Sequence, residues 1–519
     1  MLKISSLKFN LLISAVLLFV YNDIFLLKIF NKSNGALSFI SFLLVVYLLM
    51  VIVTNLLFVK FSSKALAIFF IIFNTIGYYF MDIYNIAIDK IMFLNALETD
   101  KAEALDVLDL NILGYFLILA ILPIILILKT QINYAKLSKE IIKRAITIVA
   151  SIAIIAAIIV PNTKYAAQFL RNNKPVKNYF LPVNYIGATI STNKILKKRN
   201  HKLIKIGNDA KFTPFNNKKN VIVMVLGETA RAANFSLGKY KNNTNQSLEK
   251  YKDDIIYFDN VSSCGTATAM SLPCIFSKYG REDFKAGSGA YTENVLDVIK
   301  KAGYDVIWRE NNSGCKNNCD RIETQQFCTN YKCKDEILLK DIATQIKEKN
   351  NNILYVLHQQ GSHGPAYYKR YPKEFAKFKP TCDTNKLEDC TKDEIRNTYD
   401  NSLLYTSYML SQTIEKLKSL SDEYNVAMLY VSDHGESLGE NELYLHSAPY
   451  AFAPDEQTHI PMLMWLDDNN VKNLNIDKTH LQNIKSNKLS HDNIFHTLLG
   501  LTRVQTKEYN KNLDFLHKD

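Results

Sequence analysis

Three short segments bring together residue types that can hold a divalent cation. Glu228 stands directly after the apolar, β-branched run Asn220–Leu226. Asp433 and His434, in Ser432-Asp433-His434-Gly435-Glu436-Ser437, stand directly after a second such run, Asn425–Val431. His358 follows a third run, Asn352–Leu357, with His363 close behind in Gly361-Ser362-His363-Gly364-Pro365. Carboxylates and imidazoles together form a borderline ligand set suited to Zn2+ or Mn2+. A lone Glu or His after a strand is ordinarily a solvated loop residue or a helix cap, but coincidence at three strand ends favours a metal. His446, in Tyr444-Leu445-His446-Ser447, and His459 are further candidates, His446 lying nearer the Asp433 loop.

A second kind of chemistry is available in Ser262-Ser263-Cys264-Gly265-Thr266-Ala267-Thr268-Ala269-Met270-Ser271-Leu272-Pro273-Cys274, a loop crowded with hydroxyls and small residues. Pairing of its two cysteines would close a loop of about ten residues, worth about 2–3 kcal/mol in the chain-entropy model, and hold the threonines rigidly. A threonine hydroxyl is a poor nucleophile at its free pKa and needs a metal or base beside it. Residue types alone do not choose between Thr266 and Thr268.

The elements that must position these residues read as α/β. Short apolar runs recur at Asn220–Leu226, Tyr304–Trp308, Asn352–Leu357, Asn425–Val431 and Pro461–Trp465. Helical patterns lie between them at Asn294–Ala302, Lys334–Lys347 and Asp393–Leu420. Such alternation implies a largely parallel sheet covered on both faces, with functional groups just past the carboxyl ends of its strands.

The preceding part of the chain is of another kind. Five apolar runs, approximately Phe9–Leu27, Leu37–Val59, Ala65–Met81, Leu113–Leu128 and Ala145–Val160, approach the length of a bilayer-crossing helix. The first follows Lys3 and Lys8 as a signal peptide would, but no clean cleavage site follows and four more runs do, so it reads as an anchor. The mean hydropathy near zero averages this part with a water-soluble one. Lysines and an arginine (Lys3, Lys8, Lys60, Lys64, Lys129, Lys136, Lys139, Lys143, Arg144) outnumber Lys28 and Lys32 on the opposite side, which makes the richer side cytoplasmic. Five crossings then put everything after Val160 outside. All 8 cysteines lie there in close pairs (Cys264/Cys274, Cys315/Cys319, Cys328/Cys333, Cys382/Cys390), as disulfides in an oxidising compartment would. The expected domains are a transmembrane part over 1–160, a Lys- and Asn-rich connector over 161–218 with an amphipathic stretch at Tyr165–Leu170, and a catalytic domain over 219–519. The net charge of +12 carries no basic run interleaved with aromatics, which argues against nucleic acid. In the loop after the third run, Asn95, Thr99 and Glu103 fall at helical spacing and would share one face of a helix near the membrane.

Gly227-Glu228-Thr229-Ala230-Arg231, the Cys264–Cys274 loop and Ser432-Asp433-His434-Gly435-Glu436-Ser437-Leu438-Gly439-Glu440 resemble, in order, the motifs of the lipid phosphoethanolamine transferases. That family, which includes mobile colistin-resistance enzymes, lies within the alkaline phosphatase/sulfatase superfamily. The resemblance covers essentially the whole chain. It implies a five-helix transmembrane domain plus an α/β/α sulfatase-like catalytic domain. It implies zinc held by Glu228, Thr268, Asp433 and His434, with Thr268 also the nucleophile. His363 and His446 match histidines that assist transfer or hold a second zinc, and Asn312 and Lys316 match residues near the phosphoethanolamine group. Asn95, Thr99 and Glu103 match residues that approach the lipid donor. The implied reaction moves phosphoethanolamine from phosphatidylethanolamine to lipid A, or another periplasmic glycan, through a phosphothreonine at the bacterial inner membrane. Competing readings are a membrane phosphoglycerol transferase using Mn2+ and a catalytically dead membrane scaffold.

Overall fold

Runs of Val, Ile and Leu fold as strands here because β-branched side chains fit a pleated surface buried on both faces. A computed structural model describes residues 2–99, 101–107, 110–328 and 333–518, the side chains of residues 102 and 103 excepted. The central sheet has eight strands: β1 (Lys219–Gly227), β2 (Ile255–Ser262), β3 (Asp305–Glu310), β4 (Glu323–Gln326), β5 (Ile353–His358), β6 (Tyr424–Ser432), β7 (His459–Trp465) and β8 (Leu489–Ser490). Their order is β8-β2-β7-β6-β1-β5-β3-β4, parallel throughout except for β7, which runs against both β2 and β6. β1 is central, with Leu226 level with His358 of β5 and Gly227 level with Ser432 of β6. That register delivers three carboxyl ends to one rim.

Strands β2, β4 and β8 are not anticipated by the sequence reading. β2 interleaves exposed and buried residues, and β4 is the polar edge segment Glu323-Thr324-Gln325-Gln326. Among the helices are α1 (Thr268–Ile275), α2 (Val295–Lys301), α3 (Ile342–Glu348) and α4 (Lys392–Lys418). Reciprocal caps, Asn294 with Asp297 and Thr391 with Glu394, begin α2 and α4. The helix expected over Lys334–Lys347 is instead two pieces, a 3-10 turn at Asp335–Leu339 and α3, divided where Asp341 takes φ +53°. All four close cysteine pairs are disulfides.

The chain divides into two compact units, Met1–Lys90 with Asp109–Ile190, and Ile91–Leu108 with Ser191–Asp519. In the first, four helices are long and apolar enough to cross a bilayer: Ala36–Leu57, Ser63–Tyr84, Asn111–Lys129 and Leu137–Ile159. The first expected run is not one straight helix. Ser6–Phe19 and Asp23–Phe30 meet at 67° and make a fifth span only if the pair crosses as one. The break has a cause in Asn22, whose amide donates to the Leu17 and Leu181 carbonyls while its oxygen accepts from Leu181 N–H. The last span starts well before Ala145, so Lys139, Lys143 and Arg144 sit on its first turns, Arg144 paired with Glu140 at 3.1 Å.

In the second unit the segment from 91 to 108 holds parts of two helices, Lys90–Glu98 and Lys101–Val107. Asn95, Thr99 and Glu103 therefore do not share one helical face, since the first helix ends before Thr99. Tyr165–Leu170 lies within the helix Thr163–Asn172 of the first unit.

Candidate active site

Glu228 leaves the end of β1 with its side chain buried, and the next residue, Thr229, holds φ +59°. A β-branched residue in the left-handed region is strained and persists only where its surroundings fix it. Thr229 N–H donates to Asp433 Oδ1 at 3.1 Å, and its carbonyl accepts from Tyr399 OH at 2.8 Å. Ser432 Oγ accepts from Ala230 N–H at 2.8 Å, which ties the β1 loop to the β6 loop.

Four donor atoms converge there. Thr268 Oγ1 donates to Glu228 Oε1 at 3.1 Å and lies 3.3 Å from His434 Nε2. His434 Nε2 is also 3.5 Å from Glu228 Oε1 and 3.3 Å from Asp433 Oδ2. His434 Nδ1 faces the Gly435 carbonyl at 2.9 Å, so Nδ1 carries the ring proton and Nε2 presents a lone pair to three oxygens. Asp433 Oδ1 takes the Thr229 and His434 amides, whereas Oδ2, fully buried, accepts no hydrogen bond from the described residues. Among the described residues, Glu228, Asp433 and His434 are the group whose ligand atoms could share one ion. A tetrahedral cation with bonds of about 2.0–2.1 Å sets its ligand atoms about 3.3 Å apart, so these residues with Thr268 fit one. Burial raises the carboxyl of Glu228, but the His358 contact and the histidine charges outweigh it and hold it well below the usual range. Burial and the Glu228 charge push Asp433 up. Burial lowers the His434 imidazole, but Asp433 and Glu228 prevail and raise it.

Thr268 begins α1, and its neighbour Thr266 is committed elsewhere, donating to the Ala448 carbonyl at 2.6 Å. The loop is pinned by the Cys264–Cys274 bridge and by His491, whose Nδ1 accepts from Cys264 N–H and whose Nε2 donates to the Ser432 carbonyl, both at 2.9 Å. His446 and His363 border the cluster: the His446 ring centroid lies 4.5 Å from that of His434 and 5.3 Å from that of His363. His446 Nδ1 donates to Glu436 Oε2 at 2.9 Å, and Tyr367 OH donates to the other Glu436 oxygen at 2.7 Å. Burial lowers the His446 pKa, and the neighbouring histidines add to the effect.

The other candidates lie further out. Asn312 is buried and its amide donates to Glu228 Oε2 at 2.9 Å. Lys316 Nζ donates to the Ser313 carbonyl at 3.0 Å and the Glu98 carbonyl at 3.1 Å. Asn95 Oδ1 accepts from Ala269 N–H at 3.3 Å, one residue from Thr268. Thr99 Oγ1 donates to the Asn95 carbonyl at 2.8 Å, and the Glu103 side chain lies outside the described residues. His459 stands apart, its Nε2 donating to the Asp259 carbonyl at 2.8 Å. Sequence reasoning did not assign Glu436, Glu310 or His491. Only Glu436 carried a signal, sitting two residues past His434 in the same motif.

Comparison with known proteins identifies the family. Residues 220–504 match the sulfatase family model, and residues 45–195 match "Phosphoethanolamine transferase EptA/EptB". The chain is 39% identical to phosphoethanolamine transferase EptA of Escherichia coli K12, over 94% of this chain and 91% of that one. It is 36% identical to the phosphatidylethanolamine transferase Mcr-1 of Escherichia coli, over 88% and 86%. The solved structure of the integral membrane lipooligosaccharide phosphoethanolamine transferase A of Neisseria meningitidis superposes with a TM-score of 0.94 at 34% identity, covering 99% of both chains. By these matches along nearly its whole length, the chain belongs to the phosphoethanolamine transferase family and is an enzyme of that class.

Proposed function

We propose that this enzyme transfers phosphoethanolamine from phosphatidylethanolamine to the lipid A of lipooligosaccharide, with Thr268 as the covalent carrier. The observation that carries the reading is the convergence of Thr268 Oγ1 with Glu228, Asp433 and His434. Donor and acceptor follow the names of relatives that match most of the chain: phosphatidylethanolamine for Mcr-1, lipooligosaccharide for the Neisseria enzyme and lipid A for a Kdo(2)-lipid A phosphoethanolamine transferase of Escherichia coli K12. A Zn2+ ion bound by the four side chains would lower the pKa of the Thr268 hydroxyl and offset negative charge on the phosphoryl oxygens. Thr268 Oγ1 attacks phosphorus, the bond to the diacylglycerol oxygen breaks, and that oxygen takes up a proton. Phosphoethanolamine then rests on Thr268 until an acceptor oxygen attacks and the Thr268 oxygen leaves. His446 keeps Nε2 free as an acceptor because Nδ1 is committed to Glu436. His363, beside it, is the second group suited to handling protons. The family resemblance assigns Asn95, Thr99 and Glu103 to the lipid donor and Asn312 and Lys316 to its headgroup.

The proposed setting is the bacterial inner membrane, with the catalytic unit in the periplasm. Two spans, Asn111–Lys129 and Leu137–Ile159, separate residues 91–108 from residues 191–519. An even number of crossings puts both on one face of a bilayer, as their membership of one compact unit requires. Disulfides and the distribution of lysines support the outer face. Mass spectrometry of lipid A from cells expressing the wild type or Thr268→Ala tests the reaction. Headgroup addition should vanish in the variant, and addition at the wild-type level would falsify the covalent scheme.

A further inference from the structure

The sheet register carries a second row of polar side chains away from the cluster. His358 of β5 is level with Leu226 of β1 and with Glu310 of β3. Glu228, His358 and Glu310 thus succeed one another across three adjacent strands at the carboxyl rim, all of them buried. Glu310 Oε2 accepts from Trp308 Nε1 at 2.9 Å and lies 3.4 Å from His358 Nδ1. A carboxylate can only accept, so Nδ1 carries the ring proton. Trp308 packs against the imidazole edge to face, with ring centroids 5.4 Å apart. On the far side, His358 Nε2 stands 3.2 Å from Asn312 Nδ2 and 3.7 Å from Glu228 Oε2. Asn312 donates to that same oxygen, so Glu228 is held by its outer oxygen while Oε1 faces Thr268 and His434.

We infer that Glu310 and His358 are positioning residues for Glu228, a buried relay that acts through the Asn312 amide, which meets both His358 Nε2 and Glu228 Oε2, to fix the carboxylate and thereby set affinity for a divalent cation. Neither takes part in the chemistry proposed above, yet polar groups buried in an apolar core are costly unless their partners are well placed. Outer partners of metal ligands typically govern affinity by 10–100-fold. The inference rests on the metal reading of the site.

The test titrates full-length, detergent-solubilised, zinc-stripped protein with Zn2+ against a chromophoric chelator. It compares the wild type, Asp433→Asn, the double variant Glu310→Leu/His358→Phe, and Glu310→Gln. The double variant replaces two hydrogen-bonding partners by apolar groups of similar size and strands only the Trp308 indole N–H, the desolvation cost of one neutral donor, and zinc-free melting checks that it folds. Affinity should fall roughly 10–100-fold in the double variant. It should stay near wild type in Glu310→Gln, which keeps an acceptor for Trp308 and His358. A folded double variant with wild-type affinity overturns the inference. So does a double variant that cannot fold, because the pair would then serve the core rather than the site. Failure of the metal reading looks different: the wild type would bind no Zn2+, or Asp433→Asn would bind as tightly as the wild type.

Discussion

His446 owes its competence to Glu436. Two donors, Tyr367 OH and His446 Nδ1, meet the two oxygens of one buried carboxylate, and the imidazole is left with a single tautomer. His446→Ala should lower turnover by roughly 10²–10⁴-fold, the usual contribution of a positioned acid or base. Glu436→Gln offers one acceptor to two donors and should reproduce much of that loss without changing zinc affinity. Turnover of phosphatidylethanolamine, read beside a zinc titration, checks both; wild-type turnover in Glu436→Gln would show that His446 does not depend on Glu436, and wild-type turnover in His446→Ala would separate His446 from proton transfer. The residues legible from sequence are those whose role depends on where a strand stops: Glu228, Asp433 and His434. Thr268 could be told from Thr266 by resemblance but not by residue type, because the distinguishing contact, Thr266 to Ala448, spans 182 positions. Glu310 and His491 were silent for a similar reason, since Glu310 meets His358, 48 positions away, and His491 meets Ser432 and Cys264, 59 and 227 positions away.

Elements position the site through close approaches and pins. Gly361, at φ +57°, lies so near the β1 loop that a Cβ would come within 2.5 Å of the Glu228 carbonyl oxygen and 2.9 Å of its nitrogen. Backbone cannot yield as a flexible side chain can, so Gly361→Ala should displace Glu228, weakening zinc binding and turnover together. Loss of turnover with unchanged zinc affinity would contradict that account. The His491 pin predicts a pH dependence. Burial lowers its pKa from 6.5 to about 3, so the folded protein keeps it neutral where the unfolded chain would protonate. The unfolded state then binds more protons, and this contribution is complete above about pH 6.5. It is lost as pH falls toward about 3, at up to about 1.4 kcal/mol per unit. Melting of zinc-free protein from pH 7.5 down to 5 should show a steeper loss in the wild type than in His491→Gln, whose amide can both accept and donate. Equal slopes would remove His491 as the source. Five strands were readable because continuous apolar runs suit strands buried on both faces. β2 and β4 were not, since mixed exposure and edge position erase that signature.

For the whole molecule, the telling feature is that the catalytic unit is not continuous in sequence. Residues 91–108, which lie between two apolar helices, belong with residues 191–519. Composition showed a change of solvent near residue 160 but could not show this excursion, because its anchors are single side chains. Asp106 is one of them. Its carboxylate meets Lys369 Nζ at 2.6 Å and Arg370 Nη2 at 3.0 Å, and its carbonyl accepts from Asn385 at 2.9 Å. Arg370 in turn donates through Nε to the His363 carbonyl at 2.7 Å, which links this segment to a histidine bordering the cluster. Both Asp106 and Arg370 are buried, and removing one partner of a buried pair typically costs 3–5 kcal/mol because it strands the other charge. Asp106→Ala should therefore lower the melting temperature of the catalytic unit, although it alters a residue between two membrane helices. Asp106→Glu, which keeps the charge, should recover part of the loss. Melting followed by the near-ultraviolet signal of the buried Trp308 and Trp465 reads this unit specifically, since the chain's 2 tryptophans both lie in it. If Asp106→Ala left that transition unmoved, residues 91–108 would be a passive loop and the shared-face argument for membrane topology would lose its footing.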